Sequence, residues 1–350
     1  MSVETSDTTD AGSDAPTGSE DPRSDRSGMQ SALLYNIERF ALPAILVIVI
    51  ILFSVLPSTG SIFASSANFQ EVGFNYVYIG VLTLASLIPL VCGEFDFSVG
   101  SNAGFTQIVV ATSMARFHVP LGFAIVLAIA FGALVGLGNG NTVARLGVNS
   151  LIVTLGTSGI LLGVVEWYTG SQSINNGISG SLINFGSENS LGVPDVVWLL
   201  AGVALVTYYV LEHTPYGRYL TSVGSNARAA RLVGLRVDRL KLSAFVLAGA
   251  LAGVAGVLLV AKNGSASPEA GNVTDTLSAL AGAYLGATSI RPGRFNVLGA
   301  MLAVYFIGFS VDGLAVAGVQ SWISQVFSGA ALFIAVVAST VIGRRRAGTG

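Results

Sequence analysis

The sequence predicts an all-α polytopic membrane protein of about ten transmembrane helices, several of them short or broken, and three observations carry that prediction. Hydrophobic residues make up 52% of the chain and charged residues 10%, with a mean hydropathy of +0.71, where an ordinary soluble domain is about 25% charged. Apolar runs long enough to approach a bilayer thickness recur from residue 40 to residue 342. Lys and Arg fall in alternate loops between those runs.

Residues 1–38 begin "MSVETSDTTDAGSDAPTGSEDPRSDRSGMQ", a stretch of Ser, Thr, Asp, Glu and Gly with almost no large apolar side chain. Such a segment has too little to bury to offset its ordering entropy, so a disordered acidic cytoplasmic tail is expected there. It lacks the basic start, apolar core and small-residue cleavage site of a signal peptide, so the first apolar run is expected to remain as a span. The transmembrane domain then covers 39–343, and 344–350 is a short basic tail. Cys92 is the single cysteine, which excludes a disulfide framework.

Spans are expected near 40–57, 75–92, 98–115, 119–141, 151–169, 194–211, 241–261, 277–290, 295–311 and 321–342. The runs at 277–290 and 295–311 are short and separated only by "RPGR", so either suits a half-helix that re-enters. With ten spans and an inside N-terminus, only Arg116 and Lys262 of the 17 Lys and Arg fall outside. Cytoplasmic loops collect positive charge, so both termini are expected in the cytoplasm.

The longest inside loop, 212–240, carries its own helix punctuation. Asn226 is a good N-cap, "ARAARLV" has strong helix formers, and Gly234 stands where a C′ residue would end the helix. Asp238 is expected to cap the span that follows. The short capped helix suits either an anchor on anionic lipid or a docking element for a cytoplasmic partner.

The stretch "LVCGEFDFSVGSNAG" at 90–104 places Glu94 and Asp96 between two apolar runs, where each carboxylate costs roughly 2.5 to 3.5 kcal/mol at the centre of a span. Gly93 and Gly100 flank them seven residues apart, the pattern of a discontinuous span whose freed backbone groups line protein or water. Asp96 and Ser98 are candidate N-caps for the helix that follows, with direct solute contact as the alternative for Asp96. Glu94 has no capping task and is expected in a gate or an interface ion pair, with Arg291 or Arg294 as partner. Those arginines lie in "GATSIRPGR", where Gly286 and Gly293 repeat the seven-residue interval, as a diverged internal repeat would.

"AGALAGVAG" at 248–256 spaces Gly249 and Gly253 four apart, with Ala252 and Gly256 on an adjacent stripe, which suits close helix packing. Asn102, Gln107, Asn139, Asn141, Thr154 and Thr157 are polar groups in or beside spans, free to bond across helices or to face a pore. Trp167 and Tyr168 stand where an interfacial belt is expected. His118 and His213 lack metal-ligand spacing, no catalytic constellation emerges, and the basic residues are accounted for by topology, so no nucleic-acid partner is expected.

Four stretches in order carry a resemblance. "PYGRYLTSVGSNARAARLVGLRVDRLKLSAFVLAGALAGVAGVLL" (215–259) is similar to the cytoplasmic-loop signature of ABC importer permeases of the ribose, xylose, galactose and branched-chain amino acid group. "GEFDFSVGS" (93–101) resembles that family's Gly-Gly-Ile-Asp-Leu-Ser-Val-Gly-Ser motif, with Glu94 in place of its second Gly. "LIVTLGTSGILLG" (151–163) and "LSALAGAYLGATSIRPGRFNVLGAMLAV" (277–304) match in order.

The resemblance implies a fold of the cobalamin-importer type, a second permease chain as homodimer or related heterodimer, ABC ATPase subunits and an extracytoplasmic solute-binding protein. It implies that Asn226, Ala229, Ala230, Arg231 and Gly234 belong to the coupling helix docked on the ATPase. Glu94, Asp96, Ser98, Asn102, Arg291 and Arg294 are then the candidates for gate or pathway. No GxxxxGK[ST] occurs, since Leu240 precedes Lys241 and Ala261 precedes Lys262, so ATP and Mg are expected on the partner ATPase and no cofactor in this chain. The expected function is the membrane-spanning, non-enzymatic subunit of an ATP-driven importer in the cell membrane. Its solute is expected to be a monosaccharide, with a branched-chain amino acid or nucleoside as alternatives. A stand-alone secondary transporter or channel using Glu94 and Asp96 is the other class.

Overall fold

The computed structural model describes the backbone of residues 22–347 and the side chains of residues 35–338. Residues 1–21 of the expected tail lie outside the described residues, and helix α1 (Pro22–Val55) begins within the remainder. An apolar helix, once nucleated, extends into flanking residues at little cost. Residues 1–37 and 38–350 form separate contact units, and everything below concerns the second.

Its elements are α2 (Gly60–Phe63), α3 (Ser66–Val91), α4 (Val99–Ala115), α5 (Leu121–Leu146), α6 (Ser150–Thr169) and α7 (Gly180–Ser187). A two-residue hairpin of β1 (Asn189–Ser190) and β2 (Val193–Pro194) follows, then α8 (Asp195–Tyr208), which continues as a π turn to His213. After it come α9 (Pro215–Ser225), α10 (Ala227–Leu232), α11 (Val237–Asn263), α12 (Val273–Gly286), α13 (Val297–Val316) and α14 (Trp322–Ala347).

Among the described residues, seven helices are long and apolar enough to cross a membrane: Tyr35–Val55, Ser66–Val91, Leu121–Leu146, Ser150–Thr169, Asp195–His213, Val237–Asn263 and Val297–Val316. The other three expected spans also coincide with helices. α4 has 17 residues, α12 has 14 and α14 has 26. At 1.5 Å per residue α12 is about 21 Å long, well under the ~30 Å of hydrocarbon.

Local chemistry explains the shifted boundaries. α3 starts nine residues before the expected 75 because the Ser65 hydroxyl accepts from the Asn68 N–H at 3.2 Å. α12 starts four residues early because Asn272 Oδ1 accepts from the N–H groups of Thr274 and Asp275, at 2.9 and 3.2 Å. α9 was not expected, although Pro215 at its first position is a recognised helix start.

α11 runs through the middle, packed between α5, α4 and α3. Its small-residue stripe faces a second one on α5. A side chain at Gly132, Gly136 or Gly140 would collide with the backbone of α11 at Gly249, Phe245 or Leu242. α3, α4, α11, α12 and α13 share one apolar core that includes Leu82, Leu84, Leu87, Val99, Ala103 and Leu280. α5, α6 and α8 turn Phe123, Phe131, Ile160, Trp167 and Leu205 outward, an apolar rim suited to lipid.

The C-termini of α3 and α5 gather with α9, α10 and the N-terminus of α11 at one end, termed here the loop end.

Candidate functional site

The chain breaks between α3 and α4, as the two glycines predict. Gly93 takes a left-handed φ of 79°, and a Cβ there would sit 3.1 Å from Gly224 Cα in α9. Both requirements call for glycine. Residues 94–98 are then irregular, and α6 accepts two of their backbone donors. Phe95 N–H donates to Ser150 Oγ at 3.1 Å and Phe97 N–H to Thr154 Oγ1 at 3.0 Å. These two donors of the irregular stretch are thus satisfied by protein.

Asp96 is 2% exposed. Its Oδ1 accepts from the Ser98 N–H at 2.9 Å and the Ser98 hydroxyl at 2.7 Å. Asn139 Nδ2 of α5 donates to Ser98 Oγ at 2.9 Å, and Thr157 of α6 donates to Asn139 Oδ1 at 2.6 Å. Asn102 Nδ2 donates to the Gly132 carbonyl at 3.1 Å, while its Oδ1 has no partner among the described residues. Asp96, Ser98, Asn139 and Thr157 therefore form one largely buried polar chain from the break to α5 and α6. The capping expectation needs a correction. Ser98 precedes the first turn of α4 and makes no side-chain cap bond, and Asp96 closes the turn leading into it because Ser98 is already in the helical region.

Glu94 points elsewhere. Its carboxylate pairs with Lys241 in the first turns of α11, with 12% and 22% of the two side chains exposed. Arg291, the expected partner, pairs with Glu212 in the π turn below α8. Arg294 is exposed, with no carboxylate partner among the described residues. The expected pairing of Glu94 with either arginine is thus replaced by two separate ion pairs, because Lys241 and Glu212 lie nearer in the fold. Lys241 and Glu212 were missed because each reads as an ordinary charge at a helix end.

The second break runs from Ala287 to Asn296. Asn296 holds it: Nδ2 donates to the carbonyls of Gly286, Ser289 and Arg294 at 3.2, 3.1 and 3.0 Å, and Oδ1 accepts from Gly299 N–H at 2.8 Å. Gly293 has a φ of 81°, close to that of Gly93. The matching seven-residue interval does not superpose like on like, since Gly286 and Gly100 are both helical and Gly93 opens its break while Gly293 lies late in its own. A cleft of about 330 Å³ lies at the loop end between the two breaks, walled by Leu90, Thr221, Gly224, Arg294, Phe295 and the Arg291–Glu212 pair.

The loop helix forms as its caps predict. Asn226 Oδ1 accepts from the Ala229 N–H at 3.0 Å. At the other end Leu235 N–H donates to the Ala230 carbonyl and Gly234 N–H to that of Arg231, both at 3.0 Å, a Schellman closure with Gly234 at φ 85°. Ala230 is buried against Ile88, Leu220, Val223 and Val237, so it anchors α10 to the body. Ala229, Arg231 and Gly234 are exposed, and Leu232 and Val233 stand out at 86% and 78% exposure. Asp238 does not cap α11, which starts after Arg236, and instead pairs with Arg231 at 2.6 Å.

At the far end Tyr78 donates to Asp275 Oδ2 at 2.9 Å, Gly271 N–H reaches the same oxygen at 3.0 Å, and Gln107 donates to the Ser267 carbonyl at 2.5 Å. These bonds tie the loop before α12 to α3 and α4. Among the described residues no group of three or more His, Cys, Asp or Glu could hold a metal.

A profile for the "Branched-chain amino acid transport system / permease component" family matches residues 68–336. The chain is 33% identical over 304 residues to the ribose import permease protein RbsC of Escherichia coli K12, covering 86% of this chain and 93% of that one. RbsC of Haemophilus influenzae is 29% identical over 315 residues, 89% of this chain and 96% of that one. The autoinducer 2 import system permease protein LsrD of Yersinia enterocolitica is 32% identical over 273 residues, 76% of this chain and 82% of that one. No solved structure matches the chain. With the profile covering both breaks and the whole α9–α11 loop, the chain belongs to the permease-component family of ABC importers to which these proteins are similar.

Proposed function

We propose that the chain is the membrane-spanning subunit of an ATP-driven importer for a monosaccharide or a sugar-like solute of similar size. The observation that carries this reading is the 33% identity to a ribose import permease across 93% of its length. ATP and Mg are assigned to separate ATPase subunits, solute capture to an extracytoplasmic binding protein, and the pathway to an interface with a second permease chain. The fold is then of the cobalamin-importer type with about ten spans, in the cell membrane with both termini and the loop end cytoplasmic, which agrees with the concentration of arginines there. Uptake of labelled ribose, xylose and galactose, measured with the ATPase and binding protein present, is expected to follow ATP and to survive a protonophore. Gradient-driven uptake by this chain alone would make it a secondary carrier, and uptake of leucine in place of pentoses would reassign the solute.

The coupling reading rests on α10, whose caps hold Leu232 and Val233 out among arginines as an apolar knob for a partner groove. Changing both to Asp is expected to lower transport and solute-stimulated ATP hydrolysis about tenfold, the loss of ~1.4 kcal/mol or more of docking energy, with membrane insertion unchanged. Unimpaired coupling in that variant would remove the docking role. Ala230 is no probe of docking, because its side chain faces the protein's own core.

The two breaks form the gate in this reading. Glu94, Asp96, Ser98 and Asn102 hold the first, Arg291 and Arg294 edge the second, and Gly93 against Gly224 joins the first to the loop.

A further inference from the structure

A cleft of about 500 Å³ opens at the loop end between the C-terminus of α5 and the first turns of α11. Arg145, Arg231, Arg236 and Arg239 line it, and Asp238 is the single acid in its wall. Asp238 is taken by Arg231. Arg145, Arg236 and Arg239, all exposed, have no carboxylate partner among the described residues. Three free guanidinium groups around one concavity complement a phosphate, which each can grip through two N–H donors.

A second cleft of about 410 Å³ shares Arg239 and Leu242 with the first and continues along α11 past Ser243, Val246 and Leu247, with Tyr216 on its wall. Its two hydroxyls, Tyr216 and Ser243, bond each other at 2.9 Å, which leaves the groove apolar to a guest. A free phosphate needs only the arginines. A basic cleft that opens into an apolar groove on a membrane-spanning helix fits a molecule that is anionic at one end and hydrocarbon at the other.

We propose that these joined clefts bind an anionic phospholipid. Its phosphate lies on Arg145, Arg236 and Arg239, and one acyl chain lies along Leu242, Val246 and Leu247. The lipid would brace the root of α10, since the Arg231–Asp238 pair forms part of the same wall.

The test is native mass spectrometry of the full-length chain released from nanodiscs of equal phosphatidylglycerol and phosphatidylcholine. Phosphatidylglycerol is expected to be retained preferentially, and each Arg→Gln change at 145, 236 or 239 to cut retention about fivefold, the equivalent of ~1 kcal/mol per cationic side chain at an anionic surface. Arg→Lys at all three positions keeps the charge without the two-donor grip and should retain more lipid than the triple Gln variant, which separates loss of binding from loss of fold. Leu247→Asn should weaken retention with the arginines intact, and Arg228→Gln, outside the cleft, should not change it. Equal retention of the two lipids, or undiminished retention in the triple Gln variant, would overturn the proposal. So would displacement of the lipid by millimolar inorganic phosphate, which would mark a free-anion site.

Discussion

Gly249→Leu is expected to abolish assembled protein in the membrane, as read by size-exclusion chromatography of a fluorescent fusion, and Gly249→Ala to reduce it severely. The backbones of α5 and α11 touch at this point. A Cβ on Gly249 would overlap the Gly132 carbonyl and lie 3.1 Å from Gly136 Cα, and one on Gly253 would lie 2.7 Å from Ile129 Cα. Those neighbours are main chain and have no rotamer to yield, so the helices must separate, and α11 would lose its fit to α3 and α4 together with α5. Overpacking of a tight core costs about 1–3 kcal/mol even where side chains can move. Gly138, on α5 but off the crossing, supplies the control. Nothing lies within 4 Å of its Cβ position, so Gly138→Ala should be neutral or raise stability by up to ~1 kcal/mol through helix propensity. Equal yields from Gly249→Leu and Gly138→Ala would show that the crossing is looser than described.

That crossing also marks what could be read from sequence. The stripe on α11 was visible in "AGALAGVAG", and the stripe it packs on, Gly132, Gly136 and Gly140, is as regular, but spacing does not say which two stripes meet. Local signals were legible for the same reason that they are local. Asn226 and Gly234 mark α10 because the capping groups lie within three residues of the bonds they make. The break at Gly93 was legible as a break. Its support was not, since Ser150 and Thr154 lie more than fifty residues from Phe95 and Phe97. Asn139 and Thr157 look like any polar residue in a span until α5 and α6 bring them to Ser98.

The ion pairs fail in the same way, and Glu94 gives the second large effect. Replacing it by Gln leaves the Lys241 ammonium, only 22% exposed, without its counter-charge. A broken pair costs ~3–5 kcal/mol when fully buried and under ~1 kcal/mol at the surface, so about 2–3 kcal/mol is expected here. Lys241→Met alone should cost as much by stranding the carboxylate. The double variant Glu94→Gln with Lys241→Met removes both charges and should recover most of the protein level, because no unpaired ion remains. Glu94→Gly, the residue at this position in the motif that the chain otherwise resembles, should be deleterious with Lys241 present and tolerated without it. Transport separates two outcomes that protein level cannot. Recovery of both level and uptake in the double variant makes the pair a brace between the break and α11. Recovery of level without uptake makes the charges part of the gate. A single Glu94→Gln variant with normal level and uptake would show that the pair holds nothing, and the coupling of the first break to the loop would then rest on the packing of Cys92 and Gly93 against α9.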